Sequence, residues 1–297
     1  MTQAKTKVFK KIAIIGKPHH ASALATMLEC YDFLQEKGLE VIVDARIANE
    51  FDIPNINKKD LIGIGNHCDL AIVIGGDGYM LGAARVLSRF DIAVIGVNRG
   101  NLGFLTDLDP TDFKSPLSAV LNGEYQVEER FLLETQVYSD GVLKSSNTAV
   151  NEVVLHPAKI AHMIEFAIYV DGNFMINQRA DGLIVSTPTG STAYSLSGGG
   201  PILSPKVDAI SLLSMYPHTL NSRPIVIDAN SAIRIKTSQG NRYEMQMSCD
   251  SHVNLSILPG DEVIIKKTEH KLTLVHPENY SYFYVLQKKL GWGDKLF

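Results

Sequence analysis

The chain has 297 residues, and its 28 Lys and Arg against 32 Asp and Glu give a formal net charge of −4. This length predicts two domains, and a hydrophobic share of 45% is too high for a disordered chain. The slightly acidic balance argues against a general nucleic-acid binder, and no apolar run in the sequence is long enough to predict a membrane span.

Short apolar runs alternate with helical patterns in the first third of the chain. Ile12–Ile15 predicts a first buried strand, and Ala21 to Lys37 carries apolar residues at helical spacing before Gly38. Further runs rich in Val and Ile predict three more strands, at Val41–Val43, Leu70–Ile74 and Ile92–Val97. This alternation favours a parallel sheet with crossover helices, in which ligands bind beyond the carboxyl ends of the strands.

The pattern changes to β-strands after about residue 130. Residues 164–170 alternate in hydrophobicity and end at Asp171-Gly172, which predicts a hairpin. More short strands are predicted from Pro224 to His276, and Tyr280 to Leu290 has helical spacing. We therefore expect an α/β N-terminal domain with a parallel sheet over residues 1–130, joined by a C-terminal helix within 278–297, and a β-rich domain over 131–277.

The sharpest motif is the turn Gly75-Gly76-Asp77-Gly78, which joins a predicted strand to a predicted helix. Glycines let a ligand approach the backbone amides, and a helix N-terminus adds partial positive charge, so Gly75, Gly76 and Gly78 suit a phosphate. The Walker pattern G-x-x-x-x-G-K-[ST] is absent from the sequence.

Asp77 is unexpected in a phosphate site, because two unit charges ~4 Å apart repel by about 4 kcal/mol at an effective dielectric constant of roughly 20. A Mg²⁺ ion between the carboxylate and the phosphates would offset this repulsion. Alternatively, Asp77 accepts a proton from an attacking hydroxyl group. The plain alternative is a side chain that caps the following helix.

Two further segments carry polar side chains next to predicted strands. Asn98 to Asp107 contains Arg99, which suits a plain loop as well as a phosphate, and Phe104, which suits a stacked base or a core position. Asn151 and Glu152 head an apolar strand, where they suit an adenine edge and ribose hydroxyls or else an ordinary turn.

A long uncharged loop is predicted from Gly182 to Pro205, a stretch rich in Gly, Ser and Thr. Hydroxyls and amides in this number suit a neutral polar ligand such as a nucleoside, and Tyr194 offers a ring face. His218 suits either a phosphate contact or a structural role. The remaining histidines lack the spacing of zinc ligands, and Cys30, Cys68 and Cys249 form no C-x-x-C pair, which favours a reducing compartment.

Taken together, these segments resemble the bacterial branch of the NAD kinase family. The matching pieces occur in the family's order between about residues 70 and 224: Gly75–Gly78, Asn98–Asp107, Asn151–Glu152, Asp181–Ser197, Gly199–Pro201 and Pro217–Leu220. The resemblance implies an ATP-dependent transferase that phosphorylates the 2′-hydroxyl of the adenosine ribose of NAD. It also implies an active site in the crevice between the domains, a divalent metal such as Mg²⁺, a cytoplasmic location and a homodimer or homotetramer.

The resemblance also assigns roles to individual residues. Asp77 would act as proton acceptor or as the anchor of the attacking hydroxyl, and Asp181 would reach the nicotinamide half. NAD is expected to contact Asp77, Gly78, Phe104, Asn151, Glu152, His162, Arg179, Asp181, Thr189, Thr192, Ala193, Tyr194, Ser195, Leu196, Ser197 and His252. The ATP phosphates are expected at Gly75, Gly76, Gly78 and Arg99. No residue is assigned directly to the metal.

The sequence departs from the family at two positions. Tyr79 stands where the family usually has Thr or Asn, and His252 stands where relatives often have Gln.

The alternative functions are a nicotinamide-dependent oxidoreductase, based on the near-fingerprint Gly76-x-Gly78 with Gly82, and a non-enzymatic NAD(H) sensor. The first is weakened because Asn98 stands where a dinucleotide fold places an acid.

Overall fold

The computed structural model describes residues 8–100, 102–159 and 162–293, so that Asn101 of the Asn98–Asp107 segment lies outside the described residues. Its α-helices are α1 (Ala21–Glu36), α2 (Leu61–His67), α3 (Asp77–Leu87), α4 (Lys114–Leu121), α5 (Tyr194–Ser197) and α6 (Tyr282–Leu290). Its strands are β1 (Lys11–Gly16), β2 (Glu40–Asp44), β3 (Lys58–Lys59), β4 (Leu70–Ile74), β5 (Ala93–Val97), β6 (Tyr125–Ser139), β7 (Val142–Ala149), β8 (Glu152–Pro157), β9 (Ile164–Val170), β10 (Asn173–Ala180), β11 (Gly182–Ser186), β12 (Ala209–Met215), β13 (Ile225–Asp228), β14 (Ile233–Thr237), β15 (Met245–Cys249), β16 (Val253–Ile257) and β17 (Glu262–Pro277).

The chain folds into two compact units, and unit 1 comprises Met1–Glu129 and Leu272–Phe297. Its strands form a parallel sheet in the order β3-β2-β1-β4-β5, and the end of β17 pairs in parallel with β5. Every residue of β4 is buried, as expected for a parallel strand covered on both faces. The predicted parallel α/β domain is therefore confirmed.

Helix α1 illustrates how the sequence produces the layer that covers this sheet. Met27, Cys30 and Leu34 recur at intervals of three and four residues and are fully buried against β1 and its neighbours. Burying a side chain of this size contributes about 1.5–3 kcal/mol. The helix ends before Gly38, whose φ of +71° is the left-handed conformation common after a helix C-terminus.

Unit 2 comprises Arg130–Lys271 and is a sandwich of β-sheets. One layer is antiparallel in the order β13-β12-β11-β8-β15-β16, and the other contains β10, β9, β14 and the first half of β17. Apolar residues that alternate along facing strands, such as Val153 and Leu155 against Phe166 and Ile168, form the core. The predicted hairpin is β9–β10, and Asp171 and Gly172 both have positive φ, as a type I′ turn requires.

The structure differs from the sequence expectations at three places. Residues 182–205 are not a single loop: Gly182–Ser186 forms the buried strand β11, and Gly190–Thr192 and α5 are helical turns. Strand β17 is long rather than short, and residues 272–277 belong to unit 1 because Thr273 and Leu274 pair with β5.

Among the described helices, none has both the length and the apolar character of a membrane span.

Candidate active site

The glycine turn of unit 1 joins β4 to the N-terminus of α3. Gly75 N donates to Val97 O at 3.0 Å, which fixes the turn to the next strand. The amides of Gly76, Asp77 and Gly78 have no acceptor among the described residues, as expected at a helix start. A Cβ at Gly76 or Gly78 would meet no atom within 4 Å. The turn thus presents open amides, at a helix N-terminus, to an anionic ligand.

The Asp77 carboxylate does not cap α3. Its Oδ2 accepts from Phe104 N at 2.8 Å, and its Oδ1 accepts from Leu105 N at 3.1 Å and more weakly from Thr106 Oγ1 at 3.4 Å. The alternative that Asp77 is a helix cap is therefore wrong. A carboxylate offers about four lone-pair positions, two on each oxygen, so the contacts with described residues leave one position on Oδ2 for a further donor.

The loop after β5 is built around this carboxylate. Leu105 and Thr106 pass so close to β5 that a Cβ at Gly96 would lie 2.6 Å from the Thr106 side chain. At Gly103, a Cβ would lie 2.2 Å from Asp77 Oδ1. Gly96 therefore lets the backbone of the loop approach β5, and Gly103 leaves room for the Asp77 carboxylate beside the loop.

Phe104 and Arg99 lie in the same loop but have different surroundings. The Phe104 ring is half-buried, with Lys289 Nζ 5.7 Å from its centroid. Arg99 is exposed and its Nη2 donates to Nε2 of His20, whose Nδ1 lies 3.2 Å from Ser22 Oγ. Since a guanidinium only donates, Nε2 of His20 is the acceptor in this contact.

A charged pair that the sequence did not predict lies beside the glycine turn. Asp44 ends β2 and is fully buried, and Arg46 Nε and Nη2 donate to it at 2.5–3.1 Å. The Arg46 guanidinium lies 5.7 Å from the Tyr79 ring centroid. Burial raises the pKa of Tyr79, whose hydroxyl has no partner among the described residues. The only signal in the sequence was the position of Asp44 at the end of a predicted strand, since β2, β1, β4 and β5 end at one sheet edge.

In unit 2, the backbone of Asn151 is held from two sides. The Asp250 carboxylate accepts from Val150 N and Asn151 N, both at 2.8 Å, and from Glu152 N at 3.3 Å. From the other side, a Cβ at Gly190 would lie 2.2 Å from the Asn151 carbonyl oxygen. The segment is therefore rigidly positioned by residues that are distant in sequence.

Glu152 is an almost fully buried acid, with 4% of its surface exposed. Burial and, second, the negative charge of Asp250 raise the pKa of Glu152 to about 8, against a backbone hydrogen bond from Tyr194 that lowers it. At neutral pH the group is mainly a neutral carboxylic acid that can donate and accept. A neutral carboxyl group can bind the hydroxyls of a ligand without repelling phosphates that the ligand carries.

The turn after β11 contains most of the remaining predicted residues. Thr189 is buried and accepts from Arg130 Nη1 at 3.1 Å, and Ser195 is fully buried against Gly200. Tyr194 is 48% exposed. Thr192, Ala193, Leu196 and Ser197 are half-buried or exposed around Tyr194, and exposed His252 lies beside Asp250, with its Nδ1 2.6 Å from the Asp250 carbonyl.

His162 and Arg179 line a different part of unit 2. They share a cavity of about 570 Å³, in which His162 stacks on Tyr243 with ring centroids 4.3 Å apart and Arg179 pairs with Glu165 at 3.8 Å. The part of the chain that the structure describes shows no contact between this pair and Glu152. Asp181 is exposed at the start of β11.

Two family models match the chain. One, described as the ATP-NAD kinase N-terminal domain, covers residues 12–125, and the other, described as the ATP-NAD kinase C-terminal domain, covers residues 150–277. The two regions lie almost entirely within unit 1 and unit 2, respectively, except that residues 272–277 belong to unit 1.

Curated proteins resemble the chain over nearly its full length. A protein named NAD kinase from Aeromonas salmonicida (strain A449) is 62% identical over 290 residues, which cover 97% of this chain and 99% of that protein. A protein of the same name from Shewanella woodyi (strain ATCC 51908 / MS32) is 58% identical over 291 residues, covering 98% and 99%.

Solved structures agree with these relatives. Yeast NADH kinase complexed with NADH matches with a TM-score of 0.87 and 28% identity, covering 98% of this chain and 90% of that one. An NAD kinase from Archaeoglobus fulgidus in complex with ATP matches with a TM-score of 0.72 and 25% identity, covering 95% and 100%. The chain therefore belongs to the NAD kinase family, as the resemblance of its motifs implied.

Proposed function

We propose that the chain transfers the γ-phosphoryl group of ATP to the 2′-hydroxyl of the adenosine ribose of NAD, with Asp77 as proton acceptor. The observation that carries this proposal is the Asp77 carboxylate, which is aimed by Phe104 N and Leu105 N and keeps a lone pair on Oδ2 for another donor. A sugar hydroxyl loses its proton during phosphoryl transfer, and a positioned base typically contributes about 10²–10⁴-fold.

The donor side of the proposal uses the open amides of Gly76, Asp77 and Gly78. The NAD kinase from Archaeoglobus fulgidus is described in complex with ATP, which supports ATP as the donor. Arg99, which is exposed in the loop after β5, is the candidate cation for the phosphates, whereas Arg46 is paired with Asp44. We extend the proposal to Mg²⁺ bound mainly by the ATP phosphates. No set of three His, Cys, Asp or Glu side chains in the described residues forms a metal cage. Mg²⁺ commonly binds through substrate phosphates and water, so Asp77 keeps its role as proton acceptor.

The acceptor side uses unit 2. The neutral carboxyl group of Glu152 would bind ribose hydroxyls without repelling the pyrophosphate, and Asn151, Tyr194 and Ser197 would contact the adenosine. NADH in the yeast kinase complex supports a nicotinamide dinucleotide as the acceptor class. The resemblance extends the proposal to a homodimer or homotetramer in the cytoplasm.

A product assay tests the reaction directly. The protein is incubated with NAD, ATP and Mg²⁺, and NAD, NADP, ATP and ADP are separated by ion-exchange chromatography. We expect NADP and ADP in equal amounts. Absorbance of reduced nicotinamide in the near ultraviolet would instead indicate an oxidoreductase, and binding of NAD without ADP release would indicate a sensor; either result would reject the proposal.

The role of Asp77 is tested with a matched pair of helix-start acids. Asp77→Asn should lower kcat by at least about 10²-fold while the melting temperature and circular dichroism remain close to wild type. Asp60 begins α2 and does cap its helix, accepting from Gly63 N at 2.7 Å, so Asp60→Asn should leave kcat unchanged. A near wild-type rate for Asp77→Asn would refute its role as proton acceptor.

A further inference from the structure

A buried histidine lies between two carboxylates in unit 1. His276, near the end of β17, is 1% exposed, its Nδ1 contacts Asp107 Oδ2, and its Nε2 lies 3.3 Å from Glu128 Oε2. The ring stacks on Tyr280, with centroids 3.9 Å apart and planes 12° apart. Both ring nitrogens therefore face an acid: Nδ1 is hydrogen-bonded to Asp107, whereas Nε2 is at ion-pair distance from Glu128 without hydrogen-bond geometry. The imidazolium form, which carries a proton on each nitrogen, suits both contacts.

Asp107 is the last residue of the loop that surrounds Asp77. The backbone N of Asp107 donates to Gly96 O at 3.1 Å, and its carboxylate holds His276. Phe104 and Leu105, only two and three residues earlier, supply the amides that bind the Asp77 carboxylate. Residues 103–107 thus have three anchors: the Asp77 side chain, the backbone of β5 and the His276 ring.

The charges around His276 favour its protonated form. Burial alone would lower the pKa of His276, but the carboxylates of Asp107 and Glu128 outweigh burial and leave the pKa raised. Asp107 belongs to the loop after β5, and Glu128 belongs to β6. The segment after β17 contributes one further titratable group that faces the ring, Tyr280. Loss of the proton would remove the positive charge that both carboxylates face.

We propose that His276 is a positioning residue for Asp77, which holds Asp107 and thereby sets the Phe104 and Leu105 amides that aim the Asp77 carboxylate. The inference rests on the proposed role of Asp77 in phosphoryl transfer. The reacting groups do not touch His276; it acts on the geometry of residues 103–107. Displacements of about 1 Å in such a support can cost about 10²-fold in rate.

Amide hydrogen exchange and kinetics of full-length variants test the proposal. In His276→Gln, a neutral side chain replaces the two-sided donor, and we expect exchange at Phe104 and Leu105 to be at least about tenfold faster in the ligand-free protein. We expect kcat to fall by about 10–10²-fold, with KM for NAD and ATP within about twofold of wild type. Asp107→Asn, which weakens the same anchor from its other side, should give the same pattern.

The control is His67→Gln, which removes a histidine paired with Glu40 at 2.9 Å on the surface of unit 1. This variant should change neither the exchange at residues 104 and 105 nor kcat. Unchanged exchange or unchanged kcat in both His276→Gln and Asp107→Asn would overturn the proposal. Amide exchange is measured without substrates, so its result does not depend on the proposed reaction. An active Asp77→Asn variant would refute the proposed function without changing the exchange result.

A measurement on the unmodified protein applies even if the variants fail to fold. Histidine-selective NMR gives the pKa of His276 directly, and we expect a value above 6.5, with both ring nitrogens protonated at pH 6. A neutral ring at pH 6 would overturn the proposal, because the two-sided anchor would then not exist.

Discussion

Asp250 and Glu152 are neighbouring buried acids, but Asp250 accepts more hydrogen bonds from backbone N–H groups than Glu152 does. The Asp250 carboxylate accepts three backbone N–H groups, from Val150, Asn151 and Glu152, whereas Glu152 accepts one from Tyr194. Since donors stabilise a charged carboxylate and burial destabilises it, the negative charge resides on Asp250 and the proton on Glu152. The number of backbone donors around each carboxylate therefore separates the two acids.

This difference predicts that the free energy of unfolding falls as the pH rises from about 5 to 8. The folded protein keeps the Glu152 proton up to a pKa of about 8, whereas the unfolded chain releases it near 4.5. The unfolded state therefore binds fewer protons in this window, and Glu152 contributes a loss of up to about 1.4 kcal/mol per pH unit. Urea unfolding at several pH values measures the slope.

The matched variant for this prediction is Glu152→Gln, which retains the shape of the side chain but cannot ionise. Its stability should equal that of the wild type near pH 5 and exceed it near pH 8. If the difference between the two proteins stays constant from pH 5 to 8, Glu152 does not carry the raised pKa of about 8.

Gly103 offers a second prediction, because a Cβ there would lie 2.2 Å from both Asp77 Oδ1 and Thr106 Oγ1. Gly103→Ala should push the carboxylate off its amide donors and lower kcat by about 10²-fold. Gly82→Ala is the control: it lies within α3, and its Cβ would meet nothing within 4 Å. It should keep kcat and gain about 0.5–1 kcal/mol of stability. Equal losses of kcat in both variants would contradict this reading of Gly103.

Much of the fold could be predicted because its signals are local. The apolar run Leu70–Ile74 and the glycines after it predict a buried strand, a turn and a helix, all of which the structure contains. Asp171-Gly172 likewise predicted its hairpin, since only a few residues tolerate two successive positive φ angles. The same holds for the open amides at Gly76 and Gly78, which follow from the sequence of the turn alone.

The supports of the site could not be predicted, because they depend on partners that are distant in sequence. His276 and Asp107 are 169 residues apart, and Asp250 holds Asn151 N across 99 residues. Periodicity and turn chemistry do not encode which side chains meet over such separations. Residues 182–205 differ from the predicted loop for a related reason: β11 is a strand because β8 and β12 flank it, while its sequence also suits a loop.

A third prediction concerns the binding of NAD. Gly190→Ala would place a Cβ 2.2 Å from the carbonyl oxygen of Asn151 and displace Asn151 and Glu152 together. We expect KM for NAD to rise by about tenfold or more, equivalent to a loss of about 1.4 kcal/mol, with a smaller effect on KM for ATP. Steady-state kinetics with each substrate varied in turn measures both. An equal rise in the two KM values would contradict a role restricted to the NAD side.

The last prediction concerns stability at the carboxyl edge of the sheet in unit 1. Asp44 is fully buried and Arg46, half-exposed, supplies its compensating charge at 2.5 Å. Arg46→Gln would leave a buried carboxylate without that charge, and we expect a loss of about 1–3 kcal/mol, reduced from the value for a fully buried pair by the exposure of Arg46. Thermal denaturation measures the corresponding fall in Tm.

A double-mutant cycle separates the charge from other effects of the substitution. Asp44→Asn combined with Arg46→Gln should recover part of the loss, because the double variant contains neither a buried charge nor its counter-ion. The control is Lys114→Gln, which breaks the pair with Glu29, 2.7 Å long but about half-exposed on both sides, and should leave Tm unchanged. If Arg46→Gln is as stable as Lys114→Gln, solvent already screens the Asp44 charge, and Arg46 is not what keeps that acid buried beside Tyr79.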